Sequence, residues 1–487
     1  MRKLHTLLLI PALLAALWAP LAAQEEPDPL EETVAAVEKQ AASETPAAEI
    51  SVEPAAKPAG PADEKKAQPK PQAQEEDKKP APVLPVWNVT SAPADSEWAF
   101  LRDAVQDDSK DAAELLLPQL DDWLARNPVH AAAADAQLLK ARLHERLGDH
   151  GFALVALLKH LQLYPGSASS AEARKMFDEL LASKGDKKTR PVMEKAAAAP
   201  ETAAPDFNLA FLLRRLSSEA GTEYYEPLLA EFRAFFDRFP SYPANDEMRM
   251  ALADLHALNR GYLAASLTYR KLVTMHPSSP LMARAKLSLA DVLADKLKEY
   301  DKAIDVYLDI TASFPGSDQA WAAYMRLPEL AEKRKKYDVA VDAYEKIIAL
   351  YPDKEESYKS FVSEAKLLRD RMDKFAEAIA VLNRLADKYK DSRGAAGVDA
   401  LLEAADIYRK DMKDAAGEVS MYDRLAADFP KDPEAPKALY AAGEVFYKAK
   451  DSEKARAYYQ KILELYPEDG MSRKAEKRIA AIMSGKY

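Results

Sequence analysis

From residue 96 onward, apolar side chains recur at helical spacing, and the pattern itself repeats along the chain. An aromatic or similar residue followed by proline closes each unit: Tyr164-Pro165, Phe239-Pro240, His276-Pro277, Phe314-Pro315, Tyr351-Pro352, Phe429-Pro430 and Tyr466-Pro467. Asn127-Pro128 extends the series backward, and Tyr389-Lys390 stands in its one later gap. From Pro240 the successive spacings are 37, 38, 37, 38, 40 and 37 residues. Pro128 to Pro165 is again 37 residues, and Pro165 to Pro240 is 75, two periods with one degenerate unit between.

The positions ahead of each proline agree as well. Twelve residues before it stands alanine, as at Ala153, Ala265, Ala303, Ala340, Ala378 and Ala455. Eight before it stands a large side chain: Leu157, Phe232, Tyr269, Tyr307, Tyr344, Leu382, Tyr422 or Tyr459. These offsets put the small residue and the large one on one face of a helix. Proline cannot continue a helix interior, so it marks the following turn. A second helical pattern precedes each of these, with a small residue near its middle (Ala253, Ala290, Ala365, Ala405, Gly443) and a short turn such as Lys298–Asp301 after it. Each unit therefore predicts a helical hairpin whose apolar face needs its neighbours. Pro328 takes the place of the small mid-helix residue in its unit. A helix through it leaves the Tyr324 carbonyl without its partner, which predicts a local bend or a misaligned hairpin.

A small residue, alanine about twelve on, an aromatic four beyond that and proline eight later resembles the tetratricopeptide repeat family over most of residues 96 to 484. The resemblance implies an all-α solenoid of about nine helical hairpins in a right-handed superhelix, with the first helix of each hairpin lining a concave groove that binds protein or peptide segments. The longer loop after proline, as in Tyr164–Ser167 and Phe314–Ser317, is similar in repeat style to bacterial envelope proteins, among them the Tol–Pal-associated periplasmic coordinator and the BamD-type assembly proteins.

In that family the residue after the small mid-helix position is taken to point into the groove. Here it reads Asp254, Asp291, Glu329, Lys366, Asp406 and Glu444. Five of the six are acidic, which predicts a field attracting basic partners. The plainer reading is that these carboxylates only bond to a neighbouring helix or loop. Tyr440 and Tyr447, with Trp321 and Tyr358, fall outside the column of core rings and are candidate contact aromatics.

The ends of the chain differ from the array. Arg2 and Lys3 precede an apolar run, Leu4 to Leu21, that closes on small residues, so residues 1–23 read as a signal peptide cleaved after Ala23. Residues 24–95 hold 12 of the 32 prolines, with 15 acidic and 7 basic side chains. Such a segment buries too little apolar surface to offset the entropy of ordering it, and reads as a disordered spacer. No later segment is apolar enough to span a bilayer. The array divides into residues 96–199 and a longer part, 200–487, at a stretch from Lys184 to Pro205 where the repeat pattern fails. That stretch is either a hinge or a decayed repeat that still packs. Asp469 to Met483 reads as a capping helix.

Composition narrows the function. The formal net charge of −11 argues against a general nucleic-acid binder. With no cysteine there are no disulfides and no thiolate chemistry. No GxSxG, HExxH, P-loop or Rossmann pattern occurs, and the seven histidines, read as surface residues, lack metal-ligand spacing. Catalytic residues, metals and cofactors are therefore not expected. The reading that results is a non-catalytic exported scaffold, periplasmic, for protein partners in envelope assembly or maintenance. A structural envelope spacer and a docking subunit of an envelope enzyme are the alternatives.

Overall fold

In the computed structural model the described residues are 94–200, 202 and 204–485, so the signal and nearly all of the spacer lie outside them. Among the described residues every regular element is a helix. In chain order they are α1 (Ala94–Ala104), α2 (Lys110–Arg126), α3 (Ala133–Leu147), α4 (His150–Leu163), α5 (Ser170–Lys184), α6 (Arg190–Ala196), α7 (Pro205–Glu219) and α8 (Tyr225–Arg238). The regular array follows: α9 (Asn245–Leu258), α10 (Tyr262–Met275), α11 (Met282–Asp291), α12 (Tyr300–Ser313), α13 (Asp318–Lys333), α14 (Tyr337–Leu350), α15 (Glu355–Met372) and α16 (Phe375–Tyr389). It closes with α17 (Gly394–Ile407), α18 (Ala415–Asp428), α19 (Glu434–Lys448), α20 (Ser452–Leu465) and α21 (Gly470–Met483). Helices α11 and α17 each end in a π-helical turn, Val292–Lys296 and Tyr408–Met412. From α1 to α5 and from α6 to α21 each helix packs on the next, which makes an all-α solenoid of helical hairpins.

The motif residues explain where the helices stop. Tyr164, Phe239, His276, Phe314, Tyr351, Phe429 and Tyr466 are all C-cap residues with an extended-side φ, from −124° to −132°. The following proline keeps each out of the helical region, so the helix ends one residue earlier. Where lysine replaces proline, Tyr389 stays helical. Within each hairpin of the regular array the turn is made by one residue in the left-handed region: Arg260, Lys298, Lys335, Asp373, Lys413 and Lys450, with φ between 54° and 61°. The next amide bonds back into the first helix, as Glu299 to the Leu293 carbonyl and Lys336 to that of Ala331, both at 2.8 Å. This closure satisfies carbonyls that a helix end leaves open. The equivalent turn between α3 and α4 uses Gly148, at φ 87°.

The column of rings is the core. Phe232, Tyr307 and Tyr459 are fully buried, and the small residues Ala253, Ala290 and Ala405 have no exposed surface. Gly443 shows why the position must be small, because a Cβ there would stand 2.6 Å from the Tyr459 ring. The irregular stretch is packed through. One apolar cluster runs from Leu138 to Leu255 and includes Met193, Ala196 and Ala197. Gln162 donates to the carbonyls of Ala196 and Ala198 at 2.9 and 2.8 Å. The decayed second helix, α6, has only seven residues. Helix α4 therefore also packs directly on α7 and α8.

Pro328 does not break its hairpin. Helix α13 runs unbroken from Asp318 to Lys333 with Pro328 buried inside it, and it keeps its place between α12 and α14. The misalignment expected from the sequence is absent, because packing on both sides holds the helix where one backbone hydrogen bond is lost. Relief of that loss is measurable. Pro328→Ala gives the residue found at this position in the sister units, and should raise stability by about 1–3 kcal/mol in urea unfolding.

Candidate interaction face

The acidic row lies beside the ring column, and most of it is spoken for. Tyr269 donates to Asp254, Tyr307 to Asp291, and Tyr459 to Glu444 at 2.7 Å. Each ring comes from the second helix of the hairpin whose first helix carries the acid. An arginine from the next first helix completes the set: Arg284 at 3.3 Å from Asp254, Arg326 at 4.0 Å from Asp291, Arg478 at 2.7 Å from Glu444. Burial pushes the Asp254 and Asp291 carboxyls above their ordinary range, against the pull of the tyrosine and arginine. Asp406 takes cations instead, Arg369 and Lys410 at 3.0 Å each and Arg409. Burial works against ionisation there too, yet these cations hold it at about 2. Four of the five acids thus have ion-pair partners, and the row does not present five unpaired charges. The physical reason is the neighbouring ring and arginine, which sequence spacing within one unit cannot show.

Glu329 and Lys366 differ. Both are exposed and neither has an ion-pair partner among the described residues. In the Glu329 unit the ring is Tyr344, and it donates to Glu332 at 2.8 Å, one turn further along. In the Lys366 unit the ring is replaced by Leu382. The hydroxyl and the acid that would receive it are lost together. Open space follows: a cavity of about 420 Å³ between α15 and α17, floored by Leu382 and Leu385. A second, of about 360 Å³, lies one unit earlier between α13 and α15, beside Pro328 and Tyr344.

The candidate aromatics have mixed fates. Tyr440 accepts from Arg478 at 3.3 Å, and the same guanidinium lies over the Tyr447 ring at 4.4 Å. Both are half-buried between α19 and α21 and serve the end of the array. Trp321 packs edge-on to Tyr351, with the Lys354 ammonium 3.9 Å above it. Tyr358 meets Tyr389 edge-on and lines the larger cavity.

Residues 250–318 and 419–470 match one tetratricopeptide repeat family, and 319–354 and 399–432 match another. The chain carries tetratricopeptide repeats. The matched segments hold all six positions of the row except Lys366, which falls between them with most of the lining of the larger cavity. Solved structures of similar architecture include a tetratricopeptide repeat protein from Parabacteroides merdae, at 15% identity over 56% of this chain and 99% of that one, TM-score 0.29. Another is PilW, a widely conserved type IV pilus biogenesis factor, at 16% identity over 47% of this chain and 98% of that one, TM-score 0.25. Likeness at this level concerns the fold and nothing else. No curated protein matches the sequence.

Tetratricopeptide repeats make a protein-interaction scaffold, and several charged groups read as solvated are instead part of its interior. Glu231, Glu364 and Glu418 are buried, as are His144, His160 and His256. His160 bonds Ser169 at 3.2 Å and His256 bonds Tyr225 at 2.9 Å. Glu231 faces two ammonium groups, Lys159 at 2.6 Å and Lys140 at 3.7 Å, and Lys140 reaches Asp121 at 2.7 Å. Burial would raise the Glu231 carboxyl, but the two lysines hold it below its ordinary value. That network ties α8 to α3 and α4 and lines a cavity of about 460 Å³. Among the described residues no cluster of three His, Asp or Glu residues is placed to hold a metal, and no helix is long and apolar enough to cross a membrane.

Glu364 is a buried carboxyl that is not fully satisfied. One of its oxygens is buried without a hydrogen bond. Burial, then the neighbouring Glu345, pushes its carboxyl up to about 7 against the pull of Arg384. The folded repeat therefore binds a proton that the unfolded chain releases near pH 4.5, and stability falls as pH rises from there to about 7. Glu364→Gln should stabilise the array more at pH 8 than at pH 5, read as urea midpoints. The ring–acid pairs should also couple. A double-mutant cycle of Tyr459→Phe and Glu444→Gln should return about 1–2 kcal/mol of interaction energy.

Proposed function

We propose that this chain is an exported scaffold of the bacterial cell envelope, and that it holds a protein segment on the first-helix face of its repeats between α13 and α17. The observation that carries the binding part is the pair of cavities on that face, where the ring–acid–arginine filling of the sister units is missing. A face filled by its own side chains has little room for a partner's anchors, whereas an open apolar floor rimmed by charge does. Export rests on Arg2, Lys3, the apolar run to Leu21 and the small residues ending at Ala23. A non-catalytic role rests on the absence of catalytic signatures in the sequence and on the repeats themselves, whose regular surface suits a long partner segment.

The test combines location with contact. The full chain should fractionate with the periplasm and envelope, and a version lacking residues 2–23 should stay in the cytoplasm. Photo-crosslinkers placed at Lys366 or Asp399 should capture the same protein from intact envelopes, and one at Lys346, on the outer face of α14, should not. Equal capture from all three positions would sink the assignment of the face.

A further inference from the structure

The two cavities are the same site, one repeat apart. Met325, Pro328, Glu329 and Tyr344 line the first; their counterparts 37 or 38 residues on, Val362, Ala365, Lys366 and Leu382, line the second. The next first helix contributes Ser363 to the first and Glu403 to the second, again at equivalent positions. In the flanking units that same position is Arg326 or Arg478, whose guanidinium crosses to the acidic row. Neither opening has such an arginine, and the second also lacks the ring. Val362 at the second opening is 43% exposed, an apolar side chain at the mouth of an apolar-floored hole.

The charge around them has one sign in excess. Glu329 and Glu356 line the first cavity, and Asp370 and Asp399 the second, all without an ion-pair partner among the described residues. Against these four stand two lysines, Lys359 and Lys366, which are also unpaired. Glu332 and Glu403 are occupied by Tyr344 and Arg369. Carboxylates held near an apolar floor favour a cation that arrives with an apolar anchor, because burial of the anchor brings the charges together away from water.

Resting on the scaffold reading above, we propose that the two cavities form a pair of sockets for one peptide segment, which places an apolar side chain in each and lysine or arginine beside Glu329, Glu356, Asp370 and Asp399. Phase is set by α15, which walls both sockets, so both anchors come from one continuous segment.

The test uses the full chain and pools of short synthetic peptides that carry two leucine or phenylalanine anchors flanked by lysine, glutamine or glutamate. Lysine-flanked peptides should bind about tenfold more tightly than glutamate-flanked ones at low salt, with the gap closing as salt rises. Leu382→Tyr and Ser363→Arg each restore a residue type used by sister units, so each should fill a socket while the helical signal and unfolding midpoint are kept. Each should weaken binding about tenfold. The triple variant Glu329→Gln, Asp370→Asn, Asp399→Asn should remove the preference for lysine. Equal binding of lysine and glutamate peptides overturns the proposal, and so does binding that neither filling variant alters. If crosslinks from Lys366 and Asp399 still capture a partner while lysine-flanked peptides fail, the peptide chemistry is wrong and the scaffold stands. If the crosslinks fail as well, both fall.

Discussion

A ring at the eighth position before each proline cannot be buried by its own helix. It is covered only when the first helix of its hairpin approaches closely, and that approach needs a residue no larger than alanine at the facing position. Gly443 under Tyr459 is the tightest case, and Ala253, Ala290 and Ala405 stand at the same point of other units. Once the ring is in place its hydroxyl lies within the half-buried seam between helices, where an unpaired polar group is costly. The acid that follows the small residue answers that need. In the Asp254, Asp291 and Glu444 units the arginine of the next first helix then answers the acid, so each of these hairpins is completed by the helix after it. Stability in such an array passes from neighbour to neighbour.

This chain of needs explains why open space is found where the pattern lapses. A unit that keeps ring, acid and arginine has filled its own face. Between α13 and α17 the set is incomplete twice over, and the space that remains belongs to no side chain of the described residues. A proline in α13, a leucine in place of tyrosine and a lysine in place of an acid are each unremarkable as single substitutions. Stacked in consecutive units they leave two openings side by side.

The period, the helix ends, the ring column and the small residues were legible because each is fixed by contacts inside one hairpin. The C-cap aromatics followed from the proline after them, and the longer α16 from its absence. The acidic row was legible as a row, but its state was not. Its partners are spread over three places: the second helix of the same hairpin, the next first helix and, for Asp406, its own helix and the preceding unit. The column Ser288, Arg326, Ser363, Glu403, Ala441 and Arg478, at the same period, shows where an arginine is available to cross to the row. The buried carboxyl of Glu364 and the buried histidines left no such trace, since a polar residue facing inward looks the same in sequence as one facing water. At Pro328 the misaligned hairpin, one of the two outcomes the sequence predicts, is prevented by packing on both sides.

Arg478 sits in α21, the last described helix, and does for Glu444 what Arg326 does for Asp291 in the interior. Helix α21 therefore carries the half of a junction that the first helix of a further hairpin would bring. Length is then an adjustable property of this scaffold. A whole hairpin copied in ahead of α21 would find a ready acid on one side and a ready arginine on the other, whereas a chain cut before Gly470 would leave an open seam.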